Sequence, residues 1–414
     1  MASSNDGGDE RREDQRHTPR GRDQRLIDRT ANERQIRSYF DARSKRRGIV
    51  ATTVTEHGQT VDWIRPESQV RGAELASPPP EPRTKDPQAS TELYPEESVR
   101  TALQEASAEH GPKGTVPIIR KNLDGLTYRY DLKRFLSKTH GHRVVDLHGL
   151  AYPAPEPDGS HRYGSSSQNV TAFGAEGVFS CFDPYLETEG DFSLIQVALT
   201  NSDLGFRQSV EAGWQEMEDM YGDWVPHLFT YYTTNGYTND DDDEGGYNTD
   251  VDGWVQIDDS ICPEITFAPY SQRDGKQYRM SLKYQLYNDN WWLRCQDRWI
   301  GYYSARLFMG NQSVFSTLGD HADYVGFYGE IFDSDDVAGR TRSDMGSGRW
   351  PETGWGSAAY IHNIRYQKDR GGGMSDYDGS SGVFESDPDM YGIDAHFEGG
   401  SSWGSYLYVG GPGA

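Results

Sequence analysis

The sequence predicts an all-β protein: an antiparallel β-sandwich of jelly-roll type behind a mixed, partly disordered N-terminal segment. Three observations carry that expectation. From about residue 143 onward the chain is a succession of short apolar/polar alternating runs, broken by Gly- and Asn/Asp-rich turns. Aromatic residues make up 12% of the chain, with 26 Tyr and 10 Trp beside 46 Gly, a mixture that suits pleated, half-buried surfaces joined by tight turns. No strand-then-helix alternation appears, so two packed antiparallel sheets are expected rather than a doubly wound one.

The elements follow in order. Residues 1–47 are charged and poor in apolar residues, so the start is expected to be disordered. A helix is then predicted in "DQRLIDRTANERQIRSYFDARSKRRG", with Leu26, Ile27, Ile36, Tyr39 and Phe40 as its sparse apolar set. Residues 48–142 form a second unit. In it "GIVATTVTEHGQTVDWIRPESQ" (48–69) reads as a hairpin turning near His57-Gly58, and "ELASPPPEPRTKDPQAST" (74–91) as a Pro-rich linker. Residues 92–111 are expected to be helical, "GTVPII" (114–119) extended, and "LTYRYDLKRFLSKTHGH" (126–142) a basic, exposed connector.

The main unit, 143–414, has its clearest strands in "SLIQVALT", "HLFTYYT", "WVQI", "QYRMSLKYQLY", "WWLRCQDRWIGYY" and "SYLYVGG". Only "RLFMGNQSVFSTLGDHA" (306–322) is expected to contain helix. No internal repeat is visible.

Several function classes fall away. The net charge of −24 argues against nucleic acid and against anionic membrane surfaces. No run of about 18 apolar residues is present, so no transmembrane helix is expected. The start, "MASSNDGGDERREDQRHTPRGRDQR", lacks the apolar core of a secretory signal. Cys181, Cys262 and Cys295 are odd in number and stand in no zinc-binding spacing. "NDDDDEGGYNTDVDGW" suggests calcium, but a loop begun at Asp240 has Val251 where a bidentate Glu is required, so a solvated acidic loop is expected. No GxSxG elbow and no HExxH motif occur, and the histidines are scattered. No metal and no cofactor are expected.

Two carboxylates stand out. In "DYVGFYGEIFDS" (323–334) a strand would place Val325, Phe327 and Ile331 on one face, and Tyr324, Tyr328, Glu330 and Phe332 on the other. Glu330 thus lies on an aromatic face, where a carboxylate must be paired, protonated or in use. In "RQSVEAGWQEMEDMYGDWVPHLFTYYT", Glu211, Gly213 and Gln215 share one face and Val210, Ala212 and Trp214 the other, leaving room above Glu211. Two glutamates on one sheet face could not both ionise easily, which is the arrangement an acid–base pair acting on water needs.

The chain resembles the neprosin family of glutamic peptidases. The resemblance is carried by "VEAGWQ…YGD…PHLFTYYT…GYN…GWVQ", then "NWWL", "IGYYSARLF", "HADYVGFYGE", "MGSGRWPE", "AAYIHNIRY" and "WGSYLYVGGPG", spanning about 114–413 in one order. It implies a two-sheet sandwich with the family's catalytic glutamates at Glu211 and Glu330. It also implies that 48–142, with "GQTVDWIRPESQ", acts as an activation peptide, so that the chain is a zymogen. Relatives are secreted, in contrast with this start. Gly246 and Val251 stand where relatives are expected to carry cysteines, and a further pair near Met390 and after the final "GGPG" is also absent.

The expected activity is a glutamic endopeptidase working at acidic pH on peptides or proteins, proline-rich ones included, as a monomer. Proline preference is open, because "FYGE" places the bulky Tyr328 two residues before Glu330, on its face. Gln215 and Tyr328 are candidates to hold a tetrahedral oxyanion. Trp214, Trp291 and Trp292 either line the cleft or pack the core. The alternatives are a glycoside hydrolase, which also uses two carboxylates over an aromatic cleft, and a non-catalytic carbohydrate- or peptide-binding jelly roll.

Overall fold

The computed structural model describes residues 19–70, 72, 74–81, 94–138, 160–204, 207–235, 245–309, 316–334, 341–399 and 403–413. The end of the connector, the junction at 143 and the acidic run before Gly245 lie outside the described residues.

Two antiparallel sheets face each other. The seven-stranded sheet runs, edge to edge, Gly245–Tyr247, His227–Thr233, Gln208–Glu216, Phe192–Asn201, Ala322–Asp333, Ser160–Ala172 and Phe384–Glu385. The larger sheet runs Trp254–Gln256, Arg298–Ser304, Asn290–Cys295, Gln277–Tyr287, Gly174–Ser180, Ala359–Gln367, Ser405–Gly410 and Gly392–Phe397. The all-β sandwich expected from the sequence is therefore observed. "WWLRCQDRWIGYY" is a hairpin of two strands, turning at Gln296, which has a φ of 56°. The stretch expected to contain helix forms only a short 3-10 turn, Ala305–Phe308, among its described residues.

The period-2 reading of the two glutamate strands holds residue by residue. Val210, Ala212, Trp214, Val325, Phe327 and Ile331 are buried in the core between the sheets. Tyr328 and Phe332 turn the other way and pack with Tyr163, Phe192 and Leu194 on the outer face of the seven-stranded sheet. "FSLIQVALTN" is buried at all ten positions, because one face meets the second sheet and the other is covered. A strand buried on both faces has no reason to alternate, hence its continuous apolar run.

What covers that outer face is the N-terminal segment. A helix, Pro19–Arg46, packs Ile36 and Phe40 against Leu126 and Phe135 of the connector. The expected hairpin is present as Ala51–Val54 and Thr60–Ile64, joined by Val116–Ile119 into a three-stranded sheet. Among the described residues of 92–111 the expected helix is not formed. Glu96–Ser98 instead pairs in parallel with Gln277–Arg279, and Arg100–Thr101 pairs with Phe267–Ala268. Glu96 fixes the outcome: its carboxylate meets Arg279 Nε at 2.8 Å, the Tyr360 hydroxyl at 2.8 Å and His362 Nε2 at 3.0 Å. Local helix propensity is a weak preference beside such tertiary partners.

A buried ionic seat also joins the two parts. Lys121 Nζ lies 2.7 Å from Asp250 Oδ2 and 2.7 Å from Glu264 Oε2, with all three groups buried. Asp250 is thus not the solvated loop residue expected from its acidic surroundings. Burial, reinforced by the Glu264 charge, raises its carboxyl to about 6 in spite of the lysine. Lys121→Met strands two carboxylates in the interior, so a loss of about 3–5 kcal/mol is expected in urea unfolding of the full chain at pH 7. A change below 1 kcal/mol would show that the seat contributes little.

Candidate active site

Glu211 and Glu330 stand on the outer face of the seven-stranded sheet, on strands that flank Phe192–Asn201 from opposite sides. Glu330 pairs with Leu194 and Glu211 with Ala198, so Gln196 lies between their two levels and on the same face. Gln196 is bracketed by Gly213 and Tyr328. A Cβ on Gly213 would come 2.0 Å from the Ile195 carbonyl oxygen and 2.9 Å from Gln196 Cβ, so only glycine lets the strands and the Gln196 side chain sit as they do.

Each glutamate has its own set of donors. Ser209 Oγ donates to Glu211 Oε1 at 2.8 Å and Gln196 Nε2 to Glu211 Oε2 at 2.9 Å. The Gln196 amide also reaches the Tyr328 hydroxyl. Glu330 Oε1 accepts from the Tyr163 hydroxyl at 3.0 Å and lies 2.7 Å from His161 Nδ1. An ionised carboxylate only accepts, so Nδ1 carries the proton in that bond.

A single ammonium joins the two. Lys138 Nζ is 2.7 Å from Glu211 Oε2 and 3.1 Å from Glu330 Oε2, and lies 5.7 Å from the Tyr328 ring centroid. The approach is prepared locally. Asp131 caps a short helix, Leu132–Leu136, by accepting from the Arg134 N–H at 2.9 Å. Phe135 anchors that helix edge-on against Phe40 at 5.9 Å. The chain leaves it extended at Ser137 and sends Lys138 down to the dyad. Lys138 is 3% exposed, so the described part of the connector is not the exposed segment expected from its basic sequence. Burial alone would raise the Glu330 carboxyl. The Lys138 ammonium and His161 overcome that and hold it down at about 2.

The other expected site residues are placed differently. Tyr328 does lie between the glutamates. Gln215 is level with Glu330 but two strands away, and its amide is tied to Tyr221 and Tyr247 at 3.1 and 3.4 Å, not to the dyad. Trp214 and Trp291 are core residues, each donating its indole N–H to a backbone carbonyl, of Ser180 and Leu318 at 2.7 Å. Trp292 packs with Tyr302 and Trp299, beside Leu75 and Ala76 of the Pro-rich linker. None of the three tryptophans lines a cleft at the dyad. Trp214 lies on the strand face opposite Glu211, which the second sheet covers, and its large aromatic area favours the core.

His161, Tyr163, Gln196, Ser209 and Lys138 were not anticipated. A signal existed for Gln196, the lone polar residue inside "SLIQVALT", and for His161 and Tyr163, which alternate in "SHRYG". Among the described residues no cluster of three or more His, Cys, Asp or Glu could hold a metal ion.

A family model for neprosin matches residues 189–412, just over half of the chain, and both glutamates fall within that match. The chain belongs to the neprosin family. It is a peptidase. Among solved structures, scytalido-glutamic peptidase with a transition state analog inhibitor aligns over 61% of this chain and 98% of its own, at 8% identity and a TM-score of 0.31. SCP-B, a member of the eqolisin family in complex with the tripeptide Ala-Ile-His, aligns over 61% and 98%, at 8% identity and a TM-score of 0.27. CG-16, a homodimeric agglutinin from chicken liver, aligns over 42% and 93%, at 8% identity and a TM-score of 0.20. At these scores the likeness carries no argument about this neprosin-family chain. Gly246 lies against Val251, with a Cβ placed on it 2.7 Å from Val251 Cγ1, so apolar contact stands where the family resemblance implies a disulfide.

Proposed function

We propose that this chain is the latent form of a glutamic endopeptidase that hydrolyses peptide bonds by two-glutamate activation of water at acidic pH. One observation carries the reading: a single ammonium, about the size of a water molecule, lies within 3.1 Å of a carboxylate oxygen of both Glu211 and Glu330. With Lys138 withdrawn, a water at that point is held by both. The ionised glutamate takes its proton as the oxygen attacks the scissile carbonyl. The protonated glutamate gives its proton to the carbonyl oxygen; as the intermediate collapses it takes that proton back, and the other glutamate passes the proton it took from water to the leaving amine. Gln196 and Tyr328, between the two levels, are the groups placed to hydrogen-bond the tetrahedral oxyanion. Cleavage after proline is the preference the family resemblance brings. Tyr328 narrows the floor on which a proline ring would rest.

The test is a pH profile. Initial rates on a quenched proline-containing peptide, from about pH 2 to pH 9 with EDTA present, should give a bell with both limbs on the acid side of neutral. The ordinary Glu value of about 4.3, split by a like-charged neighbour, sets those limbs, and they belong to the pair. Raising pH through the upper limb removes the acid and the rate falls. A plateau through pH 8, or inactivation by EDTA, would remove the dyad from the mechanism. Release of reducing sugar from a glucan panel with no peptide cleavage would instead point to a glycoside hydrolase.

A further inference from the structure

We propose that the outer face of the larger sheet carries a second binding site, for a proline-rich extended polypeptide, on the side of the sandwich opposite the two glutamates. Trp292, Trp299 and Tyr302 form it, and in the full chain the protein's own Pro-rich linker fills it. The site goes beyond the peptidase reading and does not depend on it.

The three rings reach one face through an irregularity in the sheet. Trp292 pairs with Tyr302, and Arg294 with Trp299, across neighbouring strands. In a regular strand Trp299 and Tyr302, three positions apart, would point to opposite faces. The register shifts between Leu293 and Arg294, so Ile300 goes to the core and Trp299 turns to the face of Tyr302. The Trp292 and Tyr302 rings lie 4.6 Å apart, and Trp299 stands at 78° to Trp292, 6.5 Å away. The result is an aromatic corner that packs with the linker and not with the facing sheet.

Two donors in that corner are unspent. The indole N–H groups of Trp292 and Trp299 are buried and have no hydrogen-bond partner among the described residues. Other buried tryptophans differ: Trp214 and Trp291 donate to backbone carbonyls, Trp63 to Thr53 Oγ1 and Trp254 to Gln256 Oε1. A buried N–H without an acceptor is costly, and native folds rarely leave one. A polyproline-type chain makes no internal hydrogen bonds, so its carbonyls are free to accept, and its rings lie on aromatic grooves.

The occupant shows the chemistry. Along "ELASPPPE" (74–81), Ala76 is half-buried and Pro79 buried, whereas Ser77, Pro78 and Pro80 are exposed. Burial recurs after three residues, the repeat of a polyproline helix. The Ala76 N–H donates to the Tyr302 hydroxyl at 3.2 Å, and Arg294 Nη2 meets the exposed Glu81 at 3.2 Å. Among the described residues no backbone-to-backbone hydrogen bond ties 74–81 to the sheet. Rings, one hydroxyl and one surface ion pair therefore seat the segment. None of these requires that it belong to the same chain. Residues 74–81 precede the connector, so trimming at the connector takes the occupant away; that vacancy rests on the latent-form reading, and the site itself does not.

The experiment uses the full chain at pH 7, with its own segment loosened by Leu75→Ser, Pro78→Ser, Pro79→Ser and Pro80→Ser. The probe is the synthetic peptide ELASPPPEPR, and its control has alanine at every proline. Binding is read by tryptophan fluorescence, with folding checked by circular dichroism and the peptide checked intact by mass spectrometry. The loosened chain should bind the proline peptide about tenfold or more tightly than the control, and more tightly than the parent does, whose own segment competes at high effective concentration. Trp299→Ala in the loosened chain should weaken binding by about tenfold or more, as loss of an aromatic anchor does. Tyr302→Phe, which removes only the hydroxyl, should weaken it severalfold and serves if Trp299→Ala does not fold. No binding to the folded, loosened chain, or equal affinity for the two peptides, would overturn the proposal. So would binding that Trp299→Ala and Tyr302→Phe both leave unchanged, or binding of a glucan oligosaccharide in place of the proline peptide. No turnover is read, so a missing acid bell leaves this result standing, and failure here leaves the two glutamates untouched.

Discussion

Glu211→Gln and Glu330→Gln are each expected to lower peptide hydrolysis by a hundredfold or more while leaving the sandwich folded. Each change keeps shape and removes one carboxyl of an acid–base pair, and general acid–base catalysis alone supplies roughly 10²–10⁴. The fold should tolerate both. The carboxylates face outward from the seven-stranded sheet, away from the core that Trp214, Phe327 and Ile331 fill. The full chain should feel the loss more than one trimmed of the connector, because each substitution removes one anion from the buried Lys138. Turnover should be measured on the acid-converted form, with circular dichroism as the check on folding. A variant that is folded and turns over at the parent's rate would strike its glutamate from the mechanism.

Lys138→Met is expected to unseat the connector from the two glutamates at neutral pH. In the parent, the Lys138 ammonium lies between two carboxylates that otherwise repel each other in a buried site. Without it the connector covers two carboxylates that have lost their shared cation, and it should be displaced. Limited proteolysis of the full chain at pH 7 should then cut the connector at least about tenfold faster than in the parent, as opening of a protected segment requires. The same geometry fixes how acid opens the parent. Glu330 is depressed from the ordinary Glu range to about 2, so the seating it supplies is complete above that ordinary range and is lost as pH falls toward 2. Connector cleavage in the parent should therefore rise as pH drops through that window, and the rise should be absent in Lys138→Met. Equal protection of the two chains at pH 7 would show that the lysine does not hold the segment in place.

Much of the architecture was legible because a strand writes its face into its period. The alternation in "DYVGFYGEIFDS" separated Val325, Phe327 and Ile331 from Glu330, and the structure keeps that separation. The same rule placed Glu211 opposite Trp214. A carboxylate on an aromatic face is costly unless it is paired, protonated or in use, and that cost made Glu330 visible; the small residues that leave room above it marked Glu211. The hairpin at 48–69 was visible from its turn chemistry, and the helix ending at Arg46 from its spacing.

What the sequence by itself determined, then, was the sandwich and the two carboxylates, because side-chain period and the expense of an apolar-faced charge are local properties of the chain. Only the tertiary structure decided what surrounds them. Lys138 reaches Glu211 across 73 residues, and His161 reaches Glu330 across 169. Gln196 meets both Glu211 and Tyr328 only because the register sets Gln196 between Gly213 and Tyr328. Residues 96–98 became a strand, not a helix, because the first residues of the Gln277–Tyr287 strand, which extend past Asn290–Cys295, and the Arg279, Tyr360 and His362 side chains were waiting for Glu96. Trp292 was assigned to the opposite sheet, under the linker, by the same kind of pairing. Register and sheet order are settled by contacts between segments far apart in the chain, and no local pattern of residues records which segments those will be.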